Sequence, residues 1–248
     1  MIWDECEGAR HIEPIRGTLY RLVESQEQIA TLGYVDTLEE QAVLESLLEA
    51  SKPGWPDGGD RLHYLLRTPF RYPPLPWGSR FGARHEPSLL YGGLDSHATL
   101  AEAAYYRFVF LLSMDGPAPK DVLISQHTLL TASYRTEKGV RLQSAAFERG
   151  RARLVHPSDY RATQRLGADM RAAGVQAFEY ASARDPAHSP CVGLFSPQAL
   201  SCARPLTQAP WFCELRAREV AFKPQSGQVV ETWRLDDFLV GGALPRPA

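Results

Sequence analysis

Short stretches with strand character alternate with capped helical stretches along most of this chain, and this alternation limits the folds available to it. Ser96 and Ser158 stand where they can cap helices, and Gly174 is placed to end the second helix. Strands are predicted around these helices, at residues 89–93, 121–126, 175–180, 191–195 and 228–235. Because strands and helices are interspersed, we predict a mixed sheet of α+β type, with α/β as the alternative and a second domain less favoured.

The first sixty residues carry a helix signal of their own. Thr37 and Glu40 have the spacing of a capping box, apolar residues follow at roughly helical intervals, and a proline ends the run. Residues 53–60 then hold three glycines and two prolines, which favours a loop and a domain boundary. We therefore predict a helical N-terminal extension at residues 1–60 and the main domain at residues 61–240.

Composition argues against several classes of function. The net charge is −2, so no basic surface for nucleic acid is indicated, although Arg greatly outnumbers the four lysines. The longest strongly apolar run, residues 108–112, is too short to cross a bilayer, and the N-terminus lacks the apolar segment of a signal peptide. We expect a cytoplasmic protein without direct nucleic-acid or membrane contact. The four cysteines have no CxxC spacing, so reduced structural thiols and no metal site are expected.

Three residues in the first half of the chain have side chains suited to a ligand. Glu102 lies among apolar and small residues, so it is either a solvated outer-face residue or a buried acid that needs a partner. Arg80 stands between two glycines, where the backbone can approach a ligand and the guanidinium can clamp a phosphate; a surface arginine is the alternative. Tyr91 ends a predicted strand, where it can stack on a ring or bind a ribose, although core tyrosines are equally common.

Two further candidates lie in the second half. Ser182 precedes the turn signature Arg184-Asp185-Pro186 and is outside any GxSxG motif, so a hydroxyl that orients Glu102 or a ligand fits better than a nucleophile. Cys191 could pair with a histidine as a thiol nucleophile, but its apolar strand favours an inert buried thiol. A cation, an aromatic hydroxyl, a carboxylate and a small hydroxyl together suit an anionic, sugar-bearing ligand such as a dinucleotide.

Taken together, these blocks resemble the RES domain, which is named for an Arg, a Glu and a Ser and is found in toxins of RES–Xre toxin–antitoxin systems. The resemblance covers roughly residues 62–205. Its segments are Gly78-Ser79-Arg80-Phe81, Leu90-Tyr91-Gly92, Thr99-Leu100-Ala101-Glu102, the turn at residues 180–186 and the strand at residues 191–197. The chain departs from compact members in about sixty additional N-terminal residues and in a long segment between Glu102 and Ser182.

The resemblance implies a compact α+β fold similar to that of ADP-ribosyltransferases and diphtheria-like toxins. It also implies that NAD+ is the substrate, that the nicotinamide–ribose bond is cleaved with phosphate or water as acceptor, and that no cofactor is needed. The implied partner is an Xre-type helix-turn-helix antitoxin. Carried over by position, the catalytic residues are Arg80, Glu102 and Ser182, and the substrate-binding residues are Tyr91, Arg71, Tyr72 and Arg184. A protein ADP-ribosyltransferase and a non-catalytic nucleotide-binding module remain alternatives.

Overall fold

The protein folds around one eight-stranded sheet, in a computed structural model that describes residues 1–25, 33–55, 61–116, 118 and 120–246. The strands are β1 Glu13–Glu24, β2 Leu90–Gly93, β3 Leu123–Arg141, β4 Ala177–Ala181, β5 Pro190–Leu194, β6 Thr207–Arg216, β7 Glu219–Pro224 and β8 Glu231–Arg234. The helices are α1 Ile2–Glu5, α2 Leu38–Ser51, α3 Tyr64–Arg67, α4 Ser96–Leu112, α5 Arg151–Leu154 and α6 Arg161–Ala172. The predicted α+β class with a mixed sheet is confirmed.

The sheet contains a closed ring of strands. Its order is β1-β2-β5-β4-β3-β6-β7-β8, with a further pairing between β1 and β3. Strand β3 is long enough for three neighbours: residues 127–139 pair antiparallel with β1, residues 123–131 pair antiparallel with β6, and residues 139–141 run parallel to β4. Because β1 also pairs with β2, β2 with β5 and β5 with β4, these five strands close on themselves. Strands β6, β7 and β8 extend the sheet from β3.

The apolar core divides into three clusters around this sheet. One lies among the ring strands and α3 and includes Ile15 and Leu19 of β1. A second places α4 against β6, β7 and β8, where Phe108 and Phe222 are fully buried. The third joins α1 and α6 to β4 and β5. Burying one such side chain contributes about 1.5–3 kcal/mol, so apolar packing holds α4 against the sheet.

Most predicted elements lie where the sequence places them, but their ends differ. Helix α4 is capped by Asp95 rather than by Ser96, since Asp95 has extended backbone angles and its Oδ1 accepts the Ala98 N–H at 2.7 Å. Helix α6 begins at Arg161, so Ser158 is not its cap, whereas Gly174 follows its end with a φ of +78° as predicted. The strand predicted at residues 121–126 continues to Arg141, because β3 is paired on both edges over part of its length and its burial does not alternate there.

The first sixty residues are not purely helical. The predicted cap of α2 is confirmed, since Thr37 Oγ1 accepts the Glu40 N–H at 3.1 Å. Residues 13–24, however, form β1, a strand of the ring. The inward positions of β1 read Ile15, Gly17 and Leu19, so a glycine interrupts the apolar alternation that would have signalled a strand. The division of the chain at residue 60 stays a prediction.

Gly17 is required by the close approach of β1 to β3. A Cβ atom at this position would lie 2.7 Å from the Tyr134 hydroxyl oxygen, and Tyr134 is buried. We expect Gly17→Ala to lower the free energy of unfolding by about 1–3 kcal/mol through overpacking, measured by urea denaturation. Gly54→Ala is the matched control, because a Cβ there meets no atom within 4 Å, and it should change stability by less than about 0.5 kcal/mol. Equal transition midpoints for the two variants would contradict this packing.

Candidate active site

Two cavities open beside each other where β1, β2 and the loop around residue 78 meet. The first, called the Glu102 cavity, has a volume of about 330 Å³. The second, called the Arg71 cavity, has a volume of about 870 Å³. The two cavities adjoin, because both are lined by the same five residues: Arg21, Leu75, Gly78, Ser79 and Tyr91. We call the two together the cleft.

The residues proposed from the sequence meet at this cleft. The Glu102 cavity is lined by Arg80, Tyr91, Glu102 and Arg184. The Arg71 cavity is lined by Arg71, Tyr72 and again Tyr91. Ser182 is fully buried and forms a hydrogen bond with Glu102. Positions more than a hundred residues apart in the sequence therefore converge. Their catalytic and binding roles stay predictions.

Ser182 holds Glu102 through a hydroxyl group whose bonding capacity is fully used. Its Oγ donates to Glu102 Oε1 at 2.5 Å and accepts the backbone N–H groups of Arg184 and Asp185, each at 3.0 Å. A serine hydroxyl has one proton and two lone pairs, so no bonding position is left for a substrate. This arrangement favours a role for Ser182 in positioning the Glu102 carboxylate over a role as nucleophile.

The turn after Ser182 is itself fixed by hydrogen bonds. Asp185 is almost fully buried, and its carboxylate accepts the N–H groups of Ala187 at 3.0 Å and Ser189 at 3.2 Å. Burial raises the pKa of Asp185, but the hydrogen bonds from Ser189 and Ala187 outweigh burial, so the pKa lies below its ordinary value. The charged form of Asp185 therefore stabilises the turn that orients Ser182.

A tight turn presents Arg80 to the cleft. Gly78 has a φ of +77°, and a Cβ there would lie 2.5 Å from the Gly82 carbonyl oxygen, so the turn requires glycine. Arg80 is buried, and its Nη1 donates to the carbonyl oxygens of His156 at 2.9 Å and Leu154 at 3.3 Å. Its Nη2 is buried and has no hydrogen-bond partner among the described residues. Arg80 lines the Glu102 cavity, so its positive charge favours an anion there.

Tyr91 fastens the same turn to β2. Its hydroxyl lies 3.0 Å from Ser79 Oγ and accepts the Phe81 N–H at 3.0 Å. Burial raises the pKa of Tyr91 to about 12, so the phenol stays neutral and cannot act as a base near neutral pH. Tyr91 therefore offers the cleft an aromatic wall and keeps Arg80 in position.

Arg184 supports the wall of the Glu102 cavity. It is 4% exposed, and its guanidinium lies 3.8 Å from the centre of the Tyr105 ring. Its Nη atoms donate to the Pro157 carbonyl oxygen and the Tyr160 hydroxyl. Two of its donor nitrogens are thus engaged within the protein, which favours a supporting role over direct substrate binding.

Arg71 and Tyr72 lie farther from Glu102, in the second cavity. Arg71 is buried, pairs with Glu49 at 2.7 Å and donates through Nε to the Pro53 carbonyl oxygen at 2.6 Å. Its guanidinium carbon also lies 3.9 Å from the centre of the Trp55 ring. Tyr72 is exposed on the rim. The structure thus joins Arg71 to residues of the N-terminal segment rather than to Glu102.

Arg21 is a cleft residue that the sequence analysis missed. It lies on β1 and lines both cavities; its Nη1 donates to the Tyr91 carbonyl oxygen at 2.8 Å. Its Nε is buried without a partner, and it forms no ion pair within the part of the chain that the structure describes. Burial lowers the pKa of Arg21 to about 10, so it remains a cation at neutral pH. One sequence signal could have indicated Arg21. It stands two positions after Leu19, and side chains two positions apart in a strand lie on the same face, so a strand here would turn Arg21 inward.

Cys191 does not support the alternative of a thiol nucleophile. Its side chain lies at the wall of the Glu102 cavity but is only 1% exposed. Burial, and then the nearby Glu102 carboxylate, raise its pKa, so the thiol is protonated and unreactive near neutral pH. Cys6 and Cys213 are also buried free thiols.

Comparison with known proteins assigns the family. The family model of the RES domain matches residues 58–215, and the chain belongs to that family. The RES domain is linked to enzymes that act on NAD and is associated with toxin–antitoxin pairs. A search of curated proteins finds no matching relative. Within the described residues, no helix has both the length and the apolar character needed to cross a membrane.

The turn around Asp185 generates a pH-dependent prediction. Because the folded-state pKa of Asp185 is depressed, its contribution to stability is fully present above the ordinary value of 3.8 and is lost as the pH falls through the lower folded value. We expect Asp185→Asn to lower the free energy of unfolding by about 1–2 kcal/mol at pH 6, with the difference from the native protein narrowing toward about pH 2.5. Urea denaturation at both pH values measures this.

The matched control is Asp121→Asn, an exposed carboxylate before β3. It should leave stability within about 0.5 kcal/mol at both pH values. An Asp185→Asn difference that stays constant from pH 6 to about pH 2.5 would show that the charge of Asp185 does not stabilise the turn.

Proposed function

We propose that this protein cleaves the nicotinamide–ribose bond of NAD+ and transfers the ADP-ribosyl group to phosphate or water. The observation that carries the proposal is the Glu102 carboxylate, held by Ser182 at the wall of a cavity that Arg21 and Arg80 also line. A fixed carboxylate beside two guanidinium groups matches a substrate with a ribose next to a diphosphate. Membership of the RES domain family supports the choice of NAD+.

The bond broken joins C1 of the ribose to the pyridinium nitrogen. Its electron pair moves to that nitrogen, so nicotinamide leaves as a neutral molecule and needs no strong general acid. The ribose is left with oxocarbenium character, as in other glycosyl transfers, until an oxygen of phosphate or water bonds to C1. A proton is released when water is the acceptor.

Glu102 suits the stabilisation of that cation. Its Oε1 accepts from Ser182, whereas its Oε2 has no hydrogen-bond partner among the described residues. Oε2 can therefore accept from a ribose hydroxyl while the carboxylate charge faces the positive centre. Because Ser182 and its turn are fixed before substrate arrives, little reorganisation is needed at the transition state.

Arg21 and Arg80 suit the diphosphate. Each has a buried guanidinium nitrogen without a partner in the described residues, Nε of Arg21 and Nη2 of Arg80. Leaving such donors unpaired is unfavourable, and charge-assisted hydrogen bonds to phosphate oxygens would satisfy them. Both line the Glu102 cavity, which supports binding of a diphosphate near a ribose at Glu102.

Aromatic side chains provide a surface for the nicotinamide ring. Five tyrosines line the Glu102 cavity: Tyr20, Tyr91, Tyr106, Tyr160 and Tyr180. Tyrosine ring faces attract cations, and the nicotinamide ring is cationic only before the bond breaks. These side chains therefore favour binding of the substrate over binding of the released nicotinamide.

In the cell we propose that this activity is toxic through loss of NAD+ and that an Xre-type helix-turn-helix antitoxin neutralises it. The association of the RES domain with toxin–antitoxin pairs supports this role. Incubating the purified chain with NAD+ and measuring free nicotinamide, with and without phosphate, tests the activity and its acceptor. Radiolabel from NAD+ on a protein would favour an ADP-ribosyltransferase, and binding without nicotinamide release would favour a non-catalytic module.

Glu102→Gln tests the assignment directly. The substitution keeps the size of the side chain and an acceptor for Ser182 but removes the charge, so we expect nicotinamide release to fall about a hundredfold or more while the thermal midpoint changes little. Steady-state assays of nicotinamide release and a thermal melt measure the two effects. The control is Glu148→Gln, an exposed glutamate paired with Arg151, which should retain full activity. A fully active Glu102→Gln protein would exclude this role for the carboxylate.

A further inference from the structure

We infer that the Arg71 cavity binds a second phosphate of the substrate, so that the enzyme accepts a dinucleotide phosphorylated on its adenosine ribose, as in NADP+. This inference rests on the proposed function. It starts from the wall that the two adjoining cavities share: if Glu102 contacts the nicotinamide ribose, the adenosine half of the dinucleotide extends past Arg21 into the Arg71 cavity.

Two arginines that line that cavity contact the same aromatic ring. Arg67 and Arg71 stack on the Trp55 ring, with guanidinium carbons 3.8 and 3.9 Å from the ring centre. Trp55 therefore contacts both guanidinium groups. We call Trp55, Arg67 and Arg71 the outer cluster.

The two arginines of the outer cluster differ in their partners. Arg71 is neutralised by Glu49 and bonded to the Pro53 carbonyl oxygen. Arg67 forms no ion pair within the described residues, and its Nε is buried without a hydrogen-bond partner. A half-buried guanidinium with an unsatisfied donor at a cavity wall is suited to an anion.

The charge of the whole cavity agrees with an anionic ligand. Four cations line it, namely Arg21, Lys52, Arg67 and Arg71, against the two carboxylates Glu24 and Glu49, which gives a net charge of +2. Glu49 does not oppose an anion strongly, because it bonds to both Arg71 and Lys52. In dinucleotide sites an arginine near the adenosine ribose accommodates a 2′-phosphate, whereas an unopposed acid selects a free 2′-hydroxyl.

The outer cluster also assigns a role to the N-terminal segment. Glu49, Lys52 and Trp55 lie outside the residues that the RES family model matches, yet they line the same cavity as Arg67. The segment therefore completes the wall of the substrate site. Recognition of a second phosphate by Arg67 therefore depends on the extension, which supplies the Trp55 ring that Arg67 contacts.

Binding of adenosine 2′,5′-bisphosphate and of adenosine 5′-monophosphate separates this inference from catalysis, because neither has a nicotinamide bond. By isothermal titration calorimetry we expect the full chain to bind the bisphosphate about tenfold more tightly than the monophosphate. Arg67→Gln should weaken bisphosphate binding about tenfold and change monophosphate binding less than about twofold. Arg135→Gln, an exposed arginine of β3, is the matched control and should change neither.

The kinetic counterpart compares NADP+ with NAD+. We expect kcat/KM for NADP+ to be at least equal to that for NAD+, and Arg67→Gln to lower it about tenfold for NADP+ only. Equal affinity for the two adenosine nucleotides, or an Arg67→Gln loss of the same size for both, would overturn the inference. If neither dinucleotide releases nicotinamide, the proposed function fails, whereas the calorimetry still decides whether the second phosphate site exists.

Discussion

Ser182 connects two parts of the chain that lie eighty residues apart, because its single proton goes to Glu102 and its lone pairs receive the turn that follows it. A buried hydroxyl without partners would be unfavourable, so losing any of these three hydrogen bonds would cost stability. They tie α4, which carries Glu102, to the end of β4 at the wall of the Glu102 cavity. The position of the carboxylate is thus decided by the fold before any ligand binds.

The other residues that line the Glu102 cavity come from separate elements of the fold. Strand β1 provides Arg21, the turn at Gly78 provides Arg80, and β2 provides Tyr91, whose hydroxyl fastens that turn. Among the described residues, Arg21 and Arg80 each keep an unpaired nitrogen, because backbone carbonyls satisfy part of the guanidinium without neutralising its charge. Carbonyl partners fix the orientation of an arginine and leave its positive charge for a ligand. A carboxylate partner would neutralise that charge.

The sequence predicted those features of the fold that depend on residues close together in the chain. The cap at Thr37, the helix that carries Glu102, and the strands around Tyr91 and Ser182 were all expected, because each depends on neighbouring residues. Strand β1 was not, since Gly17 replaces the apolar residue that would have completed its alternation, and its partner strand lies a hundred residues away. Arg21 was missed for the same reason. The contacts of Arg71 and Arg67 with Trp55 depend on how the N-terminal segment packs. The spacing of residues along the sequence does not predict that packing. The likeness to ADP-ribosyltransferases stays a prediction.

The closed ring of strands has a consequence for synthesis of the protein. Strand β1 leaves the ribosome first, but its main partner is residues 127–139 of β3, and the ring closes only when β5, ending at Leu194, has been made. Pairing over such long stretches is slow and cooperative, so a partly made chain has no complete cleft. An enzyme with the proposed activity would then stay inactive on the ribosome until most of its length had emerged. That interval would be open to the proposed antitoxin.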